Sequence, residues 1–427
     1  MSRDFKSVFL DLFESGETFG LDTPIIPIEL EEEPIDSIEI SDEVEKEIDV
    51  SISLLEKGNL DLLTPLAIDN KKKSDTEKEN AHFEIEIEDS ASEKTTIEVK
   101  NGSTTLYKEI HTTKYVALGK HNWIWDGYDS NGILDTKILK SPELKVIVSV
   151  VNKYDSASDT ADLDNEEEEV DWVDVKVNRK AMTIDVELRL NLDNGDAEEL
   201  DDPLPAGLPV VPGAPASGTK PSQLRSFNKL KEMVLQGVSK YWSRDVTTPK
   251  GKYKVTTKAI QTTSKHMDDL DVNYNTNDSV SRSSNPGSVR DIVSFFANVV
   301  PEEITYNVEW NQFVNKKGKK FWAYIPPSYA DKEFLVTAAH EIGHEILSAF
   351  ASPNYSYTHK GSSTLLTQTP LLVADGGSTY APAGEIDLMK YFDSKATPRP
   401  ANFHTRVIAA EDDVLGLIWL SRVDFDE

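Results

Sequence analysis

Five consecutive residues, His340-Glu341-Ile342-Gly343-His344, carry the clearest chemistry in the chain. The pattern is H-E-x-x-H. On a helix, residues four apart lie on one face, so both imidazoles can reach one metal ion. Glu341 then stands beside the metal's open position. Zinc bound this way makes hydroxide available near neutral pH, and a neighbouring carboxylate can carry the proton to a leaving amine. The surroundings predict the helix. Leu335, Ala339, Ile342, Ile346 and Phe350 recur at helical spacing, and Ser352-Pro353-Asn354 is a stop signal.

Two histidines do not complete a catalytic zinc site. In the metzincin pattern Gly would stand at Leu347 and His at Phe350, so that subclass is excluded. Three downstream residues remain as a third ligand: His359, Asp375 and Glu385. Gly384–Phe392 reads as a second short helix with Glu385 in its first turn, which would give a His2Glu, gluzincin-like set. The residues alone leave Glu385 and His359 about equal.

Several segments together resemble a known family: Ala338–Leu347 around the motif, Tyr355-Ser356-Tyr357-Thr358-His359-Lys360-Gly361-Ser362-Ser363-Thr364, Gln368-Thr369-Pro370, Gly384–Tyr391, and Tyr241-Trp242-Ser243-Arg244-Asp245. They look like the zinc metallopeptidase effectors of type VI secretion, found free or as C-terminal extensions of valine-glycine-repeat spike proteins. The resemblance covers roughly the last 200 residues. It implies His340, His344 and Glu385 as metal ligands and Glu341 as general base. It also implies a toxin made in the cytoplasm and delivered to a target cell's periplasm. There it would act on proteins or cell-wall peptides, with a spike protein or adaptor and an immunity protein as partners. The Tyr-Ser-Tyr-Thr-His-Lys-Gly segment receives no role from the resemblance. Tyr357 or His359 in it is a candidate donor to the developing oxyanion.

The elements that must position these groups occupy a chain of 427 residues with a net charge of −30 and no cysteine. Disulfides, thiol nucleophiles and cysteine-ligated metals are therefore excluded. No apolar run is long enough for a membrane span, and the N-terminus lacks the form of a signal peptide. The charge is uneven. From Ser222 onward there are 23 Lys/Arg and 24 Asp/Glu; before it there are 22 and 51. Such an acidic chain repels phosphate, so neither nucleic acid nor an anionic membrane is an expected partner. The Pro- and Gly-rich stretch Pro203–Gly218 falls where the charge changes and reads as a semi-rigid linker.

The front half divides further. Residues 1–80 form an acidic segment, weakly ordered or docking, with eleven acids between Glu29 and Asp49. Residues 81–200 alternate in the β manner, as in His82–Glu88, Thr95–Val99, Leu144–Val150 and Met182–Leu188, and predict a β-sandwich. Leu118–Gly132 looks like a calcium loop but fails as an EF-hand, because Gly127 and Ile138 fall where carboxylates are needed. A tight turn flanked by tryptophans is the better reading. Its stretch Trp125–Gly132 is similar to the immunoglobulin-like repeat of flagellar hook-capping proteins, which implies a structural or docking module. Residues 201–221 are then a linker. Residues 222–427 are an α+β, zincin-like metallopeptidase domain, beginning with an amphipathic helix (Leu224, Phe227, Leu230, Val234, Val238, Tyr241) and including a hairpin of 304–310 with 320–325.

The expected function is thus a zinc-dependent endopeptidase serving as a secreted antibacterial toxin. A non-catalytic docking component of a secretion or phage-tail spike, with a structural metal, is the alternative from another class. A housekeeping peptidase is a third.

Overall fold

The computed structural model describes residues 47–56, 60–68, 80–165, 170–195, 203–204, 206–220, 222–280, 283, 303–315, 318–365 and 368–426. The expected acidic segment lies mostly outside the described residues. Its described part is not all loop. Strand Asp49–Leu54 alternates exposed and buried residues and pairs antiparallel with Ala81–Glu88, which pairs in turn with Gly119–Trp125. Period-two alternation produces this directly: Val50, Ile52 and Leu54 face inward beside Phe83, Ile85 and Ile87, while the acids face water.

A second antiparallel sheet runs in the order Thr104–His111, Lys94–Asn101, Leu144–Val151, Ser156–Asp162. Strand Asp49–Leu54, at the edge of the first sheet, packs on the last two strands of the second, so the two sheets meet there. The tryptophan-flanked turn is confirmed. Trp123 and Trp125 are buried, and the Asp129 carboxylate accepts from the backbone N–H of Asn131 (2.9 Å) and Ile133 (2.7 Å). Those bonds close a turn and use the carboxylate that a calcium ion would need.

The Pro-rich stretch does not separate two folds. Strand Thr183–Leu190 pairs in parallel with Gly251–Gln261 over eight residues, across the expected boundary at 201–221. The resulting sheet runs Arg244–Thr248, Gly251–Gln261, Thr183–Leu190, Val173–Asn178, Ile133–Asp135. The C-terminal strand Val423–Asp426 pairs with both Leu62–Leu63 and Asp164–Asn165. Residues 46–427 accordingly form one compact unit. The stretch itself is a loop closed by Leu204 and Thr219, resting on Trp310 and Tyr324. Their side chains donate to the carbonyls of Pro215 (3.1 Å) and Gly213 (3.2 Å). The charge boundary is therefore one of surface composition and not of the core.

Two helices build the floor of the site. Helix Phe227–Tyr241 buries Leu230, Val234, Val238 and Tyr241 as its spacing predicts, and Ser226 caps it by accepting from the Lys229 N–H. It crosses helix Pro327–Phe350 in backbone contact: a Cβ on Gly237 would lie 2.3 Å from the Leu335 carbonyl oxygen. Arg225 and the Tyr306 hydroxyl bind Asp331 and tether the first turns of the second helix.

Three local readings are corrected. The hairpin is Glu309–Val314 with Lys320–Ile325, because the chain bends at Glu309 (φ +57°) and sends Glu303–Asn307 to pair in parallel with Leu270–Asn275. Val407–Ile408 is a short strand ahead of helix Glu411–Trp419, although the residues from Val407 to Leu420 alone read as one helix. Gly384–Phe392 is not a helix. Ile386–Asp387 pairs in parallel with Val407–Ile408, and Asp387 Oδ1 accepts from the Met389 N–H (2.9 Å), which fixes a turn.

Gly237→Ala tests the crossing. Alanine favours a helix by about 1 kcal/mol over glycine. Here it must force the helices apart, and a net loss of about 1–2 kcal/mol is expected in urea unfolding of the full chain. Unchanged or raised stability would show that the crossing is slack.

Candidate metal centre

Helix Pro327–Phe350 carries His340, Glu341 and His344, all buried. The chain leaves it at Ala351, restarts as the single turn Pro353–Tyr357, and then passes through three successive left-handed residues: His359 (φ +49°), Lys360 (φ +59°) and Gly361 (φ +77°). Two non-glycine residues in that region cost on the order of 1–3 kcal/mol each, and such conformations persist only where their surroundings impose them. The imposed result is the placement of His359. Its ring lies beside the helical pair, at 5.3 Å from His340 and 4.8 Å from His344 between centroids.

Among the described residues, His340, His344 and His359 form the group able to hold a metal ion, with one ligand nitrogen from each lying within 4.8 Å of the others. The outer nitrogen of every ring is engaged. His340 Nδ1 meets the Leu388 carbonyl at 2.8 Å, so it must carry the proton. His344 Nδ1 meets Ser356 Oγ at 3.0 Å, and that hydroxyl already donates to the His344 carbonyl at 2.7 Å, so this Nδ1 is also the donor. His359 Nδ1 meets Ser363 Oγ at 2.8 Å, and that hydroxyl also lies 3.4 Å from the Tyr357 carbonyl. With Nδ1 so engaged, Nε2 is the atom that each ring offers to the group. Partners of this kind orient metal-binding histidines and fix their tautomer. Three convergent imidazoles are a donor set suited to a borderline divalent cation.

Glu385, implied by resemblance as the third ligand, lies elsewhere. Its side chain is 62% exposed and forms an ion pair with Arg244 at 3.1 Å. The third place in the group belongs to His359, the other residue that the sequence left open. Asp375 sits in an exposed single turn, Val373–Asp375, and is not in the group either. Tyr357 is 1% exposed and lies parallel to the His344 ring at 5.6 Å.

The segment Asp387–Tyr391 was misread as helix, yet it addresses the site three times. Leu388 supplies the acceptor for His340. Met389 packs where a Cβ on Gly343 would lie 2.4 Å from its sulfur and 2.8 Å from the Trp242 ring, so the motif's fourth residue must be glycine. Tyr391 stacks face to face on His359 at 3.6 Å and lies parallel to His340 at 5.7 Å. Sequence reasoning missed Tyr391, Ser356 and Ser363. Ser363 stands four residues after His359, and that spacing was the one signal available. Trp242 also donates from its indole N–H to the Ala339 carbonyl at 3.0 Å, just before the motif.

Lys360 anchors the left-handed run. Its ammonium is buried between Asp387 and Asp413, at 2.8 Å from each. Burial acts to lower its pKa, but the two carboxylates outweigh that and hold it above the usual value. Burial lifts the Asp413 carboxyl to about 6, against the pull of Lys360. No family model matches the chain, and the comparison with curated proteins finds no match.

Two experiments follow from this arrangement. Metal analysis of the purified protein is expected to give about one ion per chain, largely lost in His359→Ala and kept in Glu385→Ala; the reverse result would return the third ligand to Glu385. Lys360→Met leaves Asp413 buried without its cation and is expected to cost about 3 kcal/mol at pH 7. A carboxyl raised in the folded state costs stability as pH rises through its folded pKa, so the deficit should shrink at pH 5, where Asp413 is largely neutral in both proteins. A deficit equal at both pH values would refute that account.

Proposed function

We propose that the protein is a zinc-dependent endopeptidase, with residues 222–427 carrying a zincin-like catalytic region. The observation that carries this reading is the set of three Nδ1-anchored imidazoles around one point, with Glu341 on the same helix between two of them. When bound, zinc supplies Lewis acidity that lets water ionise near neutral pH. His340, His344 and His359 would hold it. Glu341 accepts the proton of the attacking water as that oxygen adds to the peptide carbonyl. It then returns the proton to the departing amine, so the C–N bond breaks without release of an amide anion.

The resemblance supports the biological setting: an antibacterial toxin carried to the periplasm by a secretion spike or adaptor, restrained by an immunity protein and acting on proteins or cell-wall peptides. The two antiparallel sheets of the front half suit a docking module of immunoglobulin-like type. Among the described residues no helix is long and apolar enough to cross a membrane. The deep burial of the three histidines favours one competing reading, a structural metal that staples a non-catalytic docking protein.

Glu341→Ala separates the two. The peptidase reading expects the variant to keep its metal while peptide hydrolysis falls by about 10²–10⁴-fold and toxicity in a target cell's periplasm disappears. Full toxicity in a metal-loaded Glu341→Ala protein would establish the staple reading instead.

A further inference from the structure

We propose that the tip of the hairpin formed by Glu309–Val314 and Lys320–Ile325 inserts into the surface of an anionic lipid bilayer. The proposal is independent of the peptidase reading. The tip is a local exception to the charge of the chain. The net charge is −30, yet residues 310–330 hold four lysines and no acid. Two of those lysines, Lys319 and Lys320, are exposed beside the turn. Glu309 stands at the base of the hairpin and is buried. Salt screens charges more than about 10 Å apart at 0.1 M, so a headgroup at the tip meets the local sign. Each lysine close to an anionic leaflet adds to the attraction.

Exposed apolar side chains occupy the same place. Val314 is 62% exposed and Phe321 46%. The register sets Phe313 opposite Phe321 and Val314 opposite Lys320. Successive residues of a strand face opposite sides, so the phenyl pair, stacked at 5.8 Å, lies on one side of the ribbon and Val314 on the other. A partner laid against one side would leave the other uncovered, whereas a medium that surrounds the tip covers both. The tip also projects. Asn311 is fully buried, and the described residues from Val314 to Phe321 are all exposed. At about 3.3 Å per residue, Asn315 stands on the order of 10 Å beyond Asn311 along the strand. Interfacial segments seat their apolar groups about 5–10 Å into the boundary of headgroups and acyl chains. The shape is set in advance. Asn315 exchanges bonds with Lys319, its Oδ1 accepting from the Lys319 N–H at 3.0 Å and its own N–H donating to the Lys319 carbonyl at 3.0 Å. The Gly318 N–H donates to the Asn315 carbonyl at 2.9 Å. Little ordering cost therefore remains for insertion.

The test sediments the full chain with vesicles of phosphatidylglycerol and phosphatidylcholine in equal parts, or of phosphatidylcholine alone. Wild type is compared with Lys319→Glu/Lys320→Glu, with Phe321→Ser and with Val314→Ser, all at exposed positions where the fold should persist. Lys254→Glu/Lys258→Glu, on the exposed side of strand Gly251–Gln261, makes the same change of net charge elsewhere. Wild type is expected to bind the mixed vesicles at least about tenfold more tightly than phosphatidylcholine, and to release them as salt rises from about 0.1 M to about 1 M. The lysine variant should lose about tenfold or more in affinity, the two serine variants should each bind measurably more weakly, and the control should match wild type. No preference of wild type for the mixed vesicles, or an equal loss in the control, would overturn the proposal. Full binding by both serine variants would mean attraction without insertion and overturn it as well. A DNA duplex bound as tightly by Phe321→Ser as by wild type would make the tip a site for soluble polyanions instead, and the bilayer assignment would fall.

Discussion

Everything at this site depends on holding three imidazoles in fixed orientations and aimed at one point. Unrestrained histidines satisfy none of these conditions, because each ring can rotate, protonate or exchange its proton between nitrogens. Here the outer nitrogen of each ring is occupied by a different acceptor: a main-chain carbonyl from Leu388, and the hydroxyls of Ser356 and Ser363. Ser356 donates its own proton to the His344 carbonyl, so it accepts from His344 Nδ1 and cannot reverse that bond. Of the three partners only the Leu388 carbonyl lies beyond the reach of a side-chain substitution; Ser356 and Ser363 can each be removed by one.

The helical half of this arrangement was legible in the sequence. H-E-x-x-H on an apolar 3.6-residue period gave the helix, its buried face and two of the three rings, and the alternating strands of the front half were equally plain. The third ring was not legible. It reaches the site through three left-handed residues, a conformation for which His359 and Lys360 have no intrinsic preference. What stabilises it is an ion pair to Asp387 and Asp413, residues 27 and 53 positions away. Gly384–Phe392 was misread for a related reason. Its apolar spacing fits a helix, but its carbonyl and N–H groups are taken by a histidine, by an Asx turn and by a parallel strand.

The domain boundary was misplaced because net charge describes surfaces. Glu84, Glu86 and Glu88 lie on the outer side of a strand whose inner side is Phe83, Ile85 and Ile87. Turning every such acid to lysine would reverse the charge of the front half and leave its core as it is. Strand Thr183–Leu190, with Ile184, Val186 and Leu188 inward, carries no compositional mark showing that its parallel neighbour lies some seventy residues later.

The pairing of Leu62–Leu63 with Val423–Asp426 has a kinetic meaning. Closing a loop of that span costs conformational entropy before any contact returns it, and a topology dominated by distant pairings folds slowly. The parallel pairing of Thr183–Leu190 with Gly251–Gln261 imposes the same delay on the sheet beneath helix Phe227–Tyr241. Assembly of the histidine cluster therefore waits on strands drawn from both ends of the described chain. The newly made polypeptide passes through a period in which its residues are all present and its chemistry is not.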